Sequence, residues 1–144
     1  MLKVNGSDFT LGRSLFCDDL PGNGEGAAKI YVKVAVGHLG PMLAQLDTGA
    51  AWSVFDPEVA EAIGVPEPLT DPIRIDTRFG WRDGHLARVP ITLVADDGES
   101  LEVDATIFVC TTWPPGKNFV GYNGLLERIR IALDPQQHYF YFGP

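Results

Sequence analysis

The sequence has 144 residues, of which 45% are hydrophobic and 21% charged, values typical of one globular domain that can bury its own core. Its net charge of −8 argues against nucleic acid as a partner, because phosphates attract clustered Lys and Arg. No apolar run is long enough to predict a membrane span or a signal peptide, so we expect no membrane partner and a cytoplasmic protein.

The predicted elements begin after a long irregular segment. Residues 1–28 show little hydrophobic periodicity and contain a run rich in Gly and Pro at 21–26, which predicts a loop. We expect 1–28 to be an N-terminal extension, and it is a candidate for an interface. Alternating apolar residues then predict a strand over 30–36, and a second strand over 42–46 leads directly into Asp47.

A short helix and a long hairpin follow the second strand. The dipeptide Asp56-Pro57 predicts a helix start, because aspartate caps free backbone N–H groups and proline suits the first turn. Gly64 is expected to end this helix after about two turns. The next segment predicts a hairpin with arms at 73–78 and 86–94. Its tip is expected at 80–84, where Gly and Asp are typical turn residues.

The rest of the chain continues the same pattern of short elements. It comprises, in order, a hairpin turn at 96–99, a strand over 101–109, a loop at 113–116, a short helix capped by Asn123, and terminal strands over 131–133 and 139–142. Many short strands at close spacing, with two short helices, predict an all-β barrel or sandwich rather than a βαβ fold. The apolar strand 139–142 is a candidate dimer contact, because a strand edge needs a cover.

Asp47 opens the run Asp47-Thr48-Gly49-Ala50, the strongest candidate for a functional site. A D-T-G tripeptide alone is weak evidence, because Asp and Gly also favour ordinary turns. Here an apolar strand delivers the aspartate, a small residue follows the glycine, and a strand resumes at 53–55. A second feature lies further along the chain, where two apolar residues and a glycine form Phe119-Val120-Gly121, followed by Asn123.

In the order of these features the chain resembles the retropepsin family, the single-domain aspartic proteases of retroviruses and their cellular and bacterial relatives. The resemblance covers about residues 30–142. It implies an all-β, retropepsin-like closed barrel with one or two short helices, one lobe per chain, over 29–144. It further implies an aspartic endopeptidase that acts as a homodimer on a peptide or protein substrate and uses no metal or cofactor.

The chemistry of such enzymes explains why a second chain is needed. Two carboxyl groups about 3 Å apart cannot both ionise, so they share one proton. Together they serve as the base that activates water and the acid that protonates the carbonyl oxygen. The sequence has a single D-T-G, since Asp76-Thr77-Arg78 lacks the glycine. The second Asp47 is therefore expected from a partner chain across a two-fold axis.

The resemblance also implies a role for each residue of the motif. Asp47 is the catalytic carboxylate, and the Thr48 hydroxyl holds the two loops together across the dimer. Gly49 reaches the substrate backbone, a role suited to a residue without a Cβ, and Ala50 keeps the site uncrowded. Further substrate contacts are implied for one pocket residue and for the flap that closes over the substrate: Val120, Phe79, Gly80 and Trp81.

Other positions near the motif affect how such a site would bind its substrate and its partner chain. Gly121 is implied to let its loop cross behind the Asp47 loop. Ala51 and Trp52 stand where viral enzymes carry acidic residues, and Tyr122 stands where they carry an arginine. These differences affect substrate binding and subunit bracing more than catalysis. Two alternatives remain open: a dimerisation or peptide-binding module without proteolysis, and a monomeric β-domain in which the D-T-G is only a turn.

Overall fold

The computed structural model describes residues 1–18, 29–64 and 66–144, so the predicted loop at 21–26 lies outside the described residues. The described chain is mostly β-structure, which confirms the predicted all-β character. The strands are β1 (Lys3–Val4), β2 (Ser7–Asp8), β3 (Gly12–Leu15), β4 (Tyr31–Val36), β5 (Leu39–Leu46), β6 (Ser53–Val54), β7 (Ile73–Thr77), β8 (Gly80–Leu93), β9 (Asp97–Gly98), β10 (Leu101–Val109), β11 (Phe119–Val120), β12 (Arg130–Asp134) and β13 (Tyr139–Gly143). The helices are α1 (Pro57–Ala62) and a 3₁₀-helix (Leu126–Arg128). None of the described helices is long and apolar enough to cross a membrane.

The larger sheet leads into the Asp47 motif, which follows the end of β5. Its seven strands lie in the order β10-β6-β11-β5-β4-β8-β7. β10 also pairs antiparallel with β8, from Leu101 opposite Leu93 to Val109 opposite His85. Two neighbouring pairs are parallel, β11 with β5 and β6 with β10. β1 and β2 form a separate small hairpin.

Alternation of side chains along the strands builds the core. On β4, Val32, Val34 and Val36 are fully buried, whereas the residues between them are half-buried, as the sequence pattern predicts. The rings of Phe140 and Phe142 from β13 enter the same core. A second apolar cluster packs against the β7–β8 hairpin, and its buried members are Val54, Phe108, Cys110, Trp113 and Phe119.

A four-stranded sheet joins distant parts of the chain in the order β12-β13-β3-β9. β13 pairs with β12 on one side and with β3 on the other. The strand 139–142 is therefore not an uncovered edge, because the chain pairs with both of its sides itself. Its role as a dimer contact stays a prediction. The segment 1–28, expected to be an extension, contributes β3 to this sheet.

Helix α1 begins and ends where the sequence predicts. Asp56 caps it by accepting the N–H of Glu58 at 2.9 Å, and Gly64 follows its last turn with a φ of +78° that suits glycine. The second predicted helix is shorter than expected. It is a 3₁₀ turn with Leu125 rather than Asn123 at its N-cap, because Asn123 forms a β-bridge with Trp52 instead.

The predicted position of the hairpin tip, 80–84, is wrong. β7 and β8 pair up to Thr77 opposite Gly80, so the turn consists only of Arg78 and Phe79. β8 runs on through Gly84, where an added Cβ would lie 2.3 Å from the carbonyl oxygen of Val109. That glycine permits a close approach of two strands rather than a turn. Arg78-Phe79 is called the hairpin tip below.

Candidate functional site

Asp47 lies where β5 ends, in a tight turn that fixes its carboxylate. The N–H of Gly49 donates to Asp47 Oδ1 at 2.9 Å. The N–H of Ala50 donates to the backbone oxygen of Asp47 at 3.1 Å, and the N–H of Asp47 donates to the carbonyl oxygen of Val120 at 3.0 Å. Both the backbone and the side chain of Asp47 are therefore held by hydrogen bonds from nearby backbone.

A neighbouring strand passes close behind this turn. β11 lies between β5 and β6, and the chain continues through Gly121 against the backbone of Trp52 and Ser53. A Cβ on Gly121 would lie 2.4 Å from the carbonyl carbon of Trp52, so only glycine fits there. Its N–H donates to Ser53 Oγ at 2.9 Å. Gly121 therefore lets β11 continue directly against the backbone at the start of β6.

A cleft of about 350 Å³ opens beside Asp47. The Asp47 turn forms one part of its wall, and β7 with the hairpin tip forms another. Aromatic side chains supply much of the remainder: Trp52, Phe108, Trp113 and Phe119. The cleft thus combines two carboxylates, Asp47 and Asp76, with several aromatic side chains, a composition typical of sites that bind organic ligands or peptide side chains.

The hairpin tip closes onto Asp47 through an ion pair. Arg78 Nη2 donates to Asp47 Oδ2, so both carboxylate oxygens of Asp47 accept hydrogen bonds. The Asp47 side chain is only 15% exposed, whereas that of Arg78 is 48% exposed. The Arg78 guanidinium also lies over the Phe119 ring, 5.1 Å from its centroid. The arginine is therefore positioned by both a charge and an aromatic ring.

Phe79, the other residue of the hairpin tip, packs into the aromatic wall. Its ring meets that of Trp113 edge-on at 5.2 Å between centroids and lies 6.1 Å from that of Phe119. Trp113 is itself fixed, because its indole N–H donates to the carbonyl oxygen of Lys117 at 2.6 Å. The three rings form a continuous cluster within the cleft.

Comparisons with known proteins do not identify a family for this chain. No model of a known protein family matches the chain, and no curated protein is similar to it in sequence. Function is therefore inferred from the residues and geometry of the cleft.

The structure brings together some of the predicted site residues and separates others. Gly49, Ala50 and Phe79 line the cleft with Asp47, and Thr48 is exposed beside it. The other three lie elsewhere. Val120 is fully buried behind the Asp47 turn, Gly80 begins β8, and Trp81 is 58% exposed beside Arg74. Val120 therefore supports the turn with its carbonyl oxygen rather than lining the cleft.

Sequence reasoning missed the side chains that complete the cleft, above all Arg78, Trp113 and Phe119. In the sequence Phe119 belongs to an apolar motif and Trp113 to a predicted loop. The arginine gave no signal of its own, because the turn that aims it at Asp47 contains no glycine, asparagine or proline. Only the observed pairing of β7 with β8 shows which residues form the turn.

Proposed function

We propose that the chain is an aspartic endopeptidase that acts as a homodimer with a retropepsin-like fold. The observation that carries the proposal is the position of Asp47, held by Gly49 in a turn at a strand end and facing a cleft that a hairpin covers. The pairings also support a closed barrel, since six strands, β10, β6, β11, β5, β4 and β8, form an uninterrupted cycle of neighbours.

In this proposal, Asp47 from each of two chains forms one catalytic dyad. The pair shares a proton, so one carboxylate takes a proton from water while the other carboxyl group donates one to the scissile carbonyl oxygen. The exposed Thr48 is on the surface that the second chain would approach. The substrate is an extended peptide held between the hairpin and the Asp47 turn.

The Arg78–Asp47 ion pair sets a condition on this mechanism. Arg78 occupies Asp47 Oδ2, one of the two oxygens that a dyad would need for its shared proton or its water. The hairpin tip must therefore move away before the carboxylate can act. Such movement of a covering hairpin is a common step when an enzyme admits its substrate.

The first test is cleavage of an unfolded protein such as denatured casein, from about pH 3 to about pH 7, by the wild type and Asp47→Asn. We expect the substitution to lower kcat/KM at least about a thousandfold, because an amide can neither accept nor supply the catalytic proton. Asp83→Asn, a change at an exposed carboxylate on the same hairpin, is the matched control and should keep full activity. Equal activity of wild type and Asp47→Asn would remove Asp47 from catalysis.

The second candidate function is a peptide-binding module that does not hydrolyse its ligand. The Arg78–Asp47 ion pair favours it, because Asp47 here binds a cation instead of a second carboxyl group. This candidate predicts that wild-type protein leaves casein intact at every pH tested while still binding peptides. Cleavage that is lost in Asp47→Asn would exclude it.

A further inference from the structure

The chain's own hairpin tip forms part of the wall of the cleft, and its two side chains make two different kinds of contact there. Arg78 places a cation on Asp47, and Phe79 places a ring against Trp113 and Phe119. We propose that the cleft binds a peptide segment with a cationic residue followed by an aromatic one, and that Arg78-Phe79 is a tethered copy of this ligand. The proposal concerns the same cleft as the proposed function but does not require hydrolysis.

The charge contact is asymmetric in a way that favours exchange of the cation. Arg78 is half-exposed, so its guanidinium can return to water at little cost. Asp47 is mostly buried while the tip is in place, and its Oδ2 loses the Arg78 donor when the tip leaves. The carboxylate then favours another cationic donor at that oxygen, because charge-assisted hydrogen bonds are stronger than neutral ones. The net charge of −8 attracts cationic ligands over a longer range.

The aromatic contact is made to two rings that belong to the buried cluster. Trp113 and Phe119 are each only 5% exposed, and their rings contact one another edge-on at 5.9 Å. Both belong to the buried cluster, whereas Phe79 is only partly buried and packs against that cluster from the hairpin. Withdrawal of Phe79 would leave a preformed aromatic wall, which suits the ring of a Phe, Tyr or Trp side chain.

The hairpin tip is also attached in a way that permits its exchange. β7 lies at the end of the strand order and, among the described strands, pairs only with β8. Within the tip itself, local bonds close the turn, because Thr77 Oγ1 donates to the oxygen of Gly80 at 2.7 Å and accepts the N–H of Phe79 at 3.1 Å. The tip can therefore move as a closed turn without breaking the strands of the core.

The test is a titration with the blocked peptide acetyl-Gly-Arg-Phe-Gly-amide, followed by NMR signals of the Gly49 amide and the Trp113 indole. Wild type is compared with the vacated variant Arg78→Gln/Phe79→Ala. We expect the vacated variant to bind at least about tenfold more tightly, because the wild type must first displace its own tip. Peptides with Glu for Arg, or Ala for Phe, should bind the vacated variant at least about tenfold more weakly, since each loses one of the two contacts.

Two further variants make the result specific to this cleft. Arg74→Gln removes another arginine of the same hairpin. Because the Arg74 side chain faces Trp81 and not Asp47, this change should leave the wild-type affinity for the peptide unchanged. Asp47→Asn, added to the vacated variant, should reduce the preference for Arg over Glu, and Asp76 is then the carboxylate that remains in the cleft wall. If the double change prevents folding, Arg78→Gln alone serves, with a smaller expected gain.

The inference is overturned if the vacated variant, shown to be folded by its amide spectrum, does not bind the Arg-Phe peptide or binds the Glu-Phe peptide equally well. Mass spectrometry of the peptide and of casein after incubation tests proteolysis independently of peptide binding. Tight binding without any cleavage upholds the ligand class and counts against proteolysis. Casein cleavage without discrimination between the peptides supports proteolysis and overturns the proposed ligand class.

Discussion

Asp47 has both carboxylate oxygens engaged, but by partners of different kinds. The Gly49 N–H comes from the same turn and is fixed by the local backbone. The Arg78 guanidinium comes from 31 positions further along, at the end of a long and half-exposed side chain. One hydrogen bond is therefore built into the turn, whereas the other can be exchanged. Whether Asp47 Oδ2 is available to another group therefore depends on the position of Arg78.

Gly121 is the residue whose replacement should disturb the Asp47 turn most. We expect Gly121→Ala to lower the free energy of unfolding by about 2–3 kcal/mol, because its Cβ would meet backbone atoms of Trp52 and Ser53 that cannot move independently. Urea unfolding measures the change. Gly116→Ala is the control. Its site is open, with a φ of +72°, so only the backbone conformation costs energy, about 1 kcal/mol. Equal losses for the two variants would contradict the prediction.

The sequence alone could locate Asp47 but not the side chains that surround it. The aspartate and its turn are recognisable because a strand pattern and a short motif are local signals. Arg78 and Phe119 reach the same cleft from segments far apart in sequence, through the pairing of β7 with β8 and of β11 with β5. Such proximity depends on the register of whole strands, which the residue types alone do not determine.

Among the structural elements, the seven-stranded and the four-stranded sheet are linked by the side chain of Asp96. Its Oδ1 accepts a hydrogen bond from Lys33 on β4, and its Oδ2 accepts the N–H of Leu15 on β3 at 2.8 Å. The donated bond from Lys33, and then that from Leu15, hold the pKa of Asp96 below the usual 3.8. One side chain therefore joins β3 of the small sheet to β4 of the large one.

The stability that Asp96 contributes should depend on pH. Because its pKa is lower in the folded chain than in the unfolded one, the contribution is complete above about pH 4 and is lost as the pH falls through the folded-state pKa. We expect Asp96→Asn to cost about 1 kcal/mol near pH 6, after allowance for solvent screening at this partly exposed site, and less near pH 3. Urea unfolding at several pH values measures this.

The control for this pH series is Glu102→Gln, which removes an exposed carboxylate on β10. It should cost little and show a smaller change between pH 6 and pH 3. An Asp96→Asn cost that stays constant, or grows, as the solution is acidified would show that the ionised carboxylate does not stabilise the junction.

The elements themselves could be predicted where their signals are local. α1 follows from Asp56 and Pro57 at its start and Gly64 after its end, all adjacent in sequence. The long hairpin could be predicted in outline, but its turn could not. Glycines at 80 and 84 indicated a turn, whereas in the fold Gly84 makes room for β10, a contact between segments that are distant in sequence.

For the whole molecule, the proposed dyad predicts that activity depends on pairs of chains. We expect the active species to have twice the 15.7 kDa mass of one chain. Wild type mixed with an equal amount of Asp47→Asn, and allowed to exchange subunits, should lose about half of its activity per wild-type chain, because mixed dimers lack one carboxyl group. An unchanged activity would mean that each chain carries a complete site. Wild type mixed with Asp83→Asn is the control and should lose none.

The small sheet has a consequence for the synthesis of the protein. Arg13 on β3 and Tyr141 on β13 lie side by side, yet they are 128 positions apart in sequence. At about 5–20 residues per second, β3 is synthesised roughly 6–25 seconds before its partner strand. During that interval the core also lacks the buried rings of Phe140 and Phe142. The nascent chain therefore exposes apolar surface until β13 has left the ribosome, and we expect chaperones to bind it during this period.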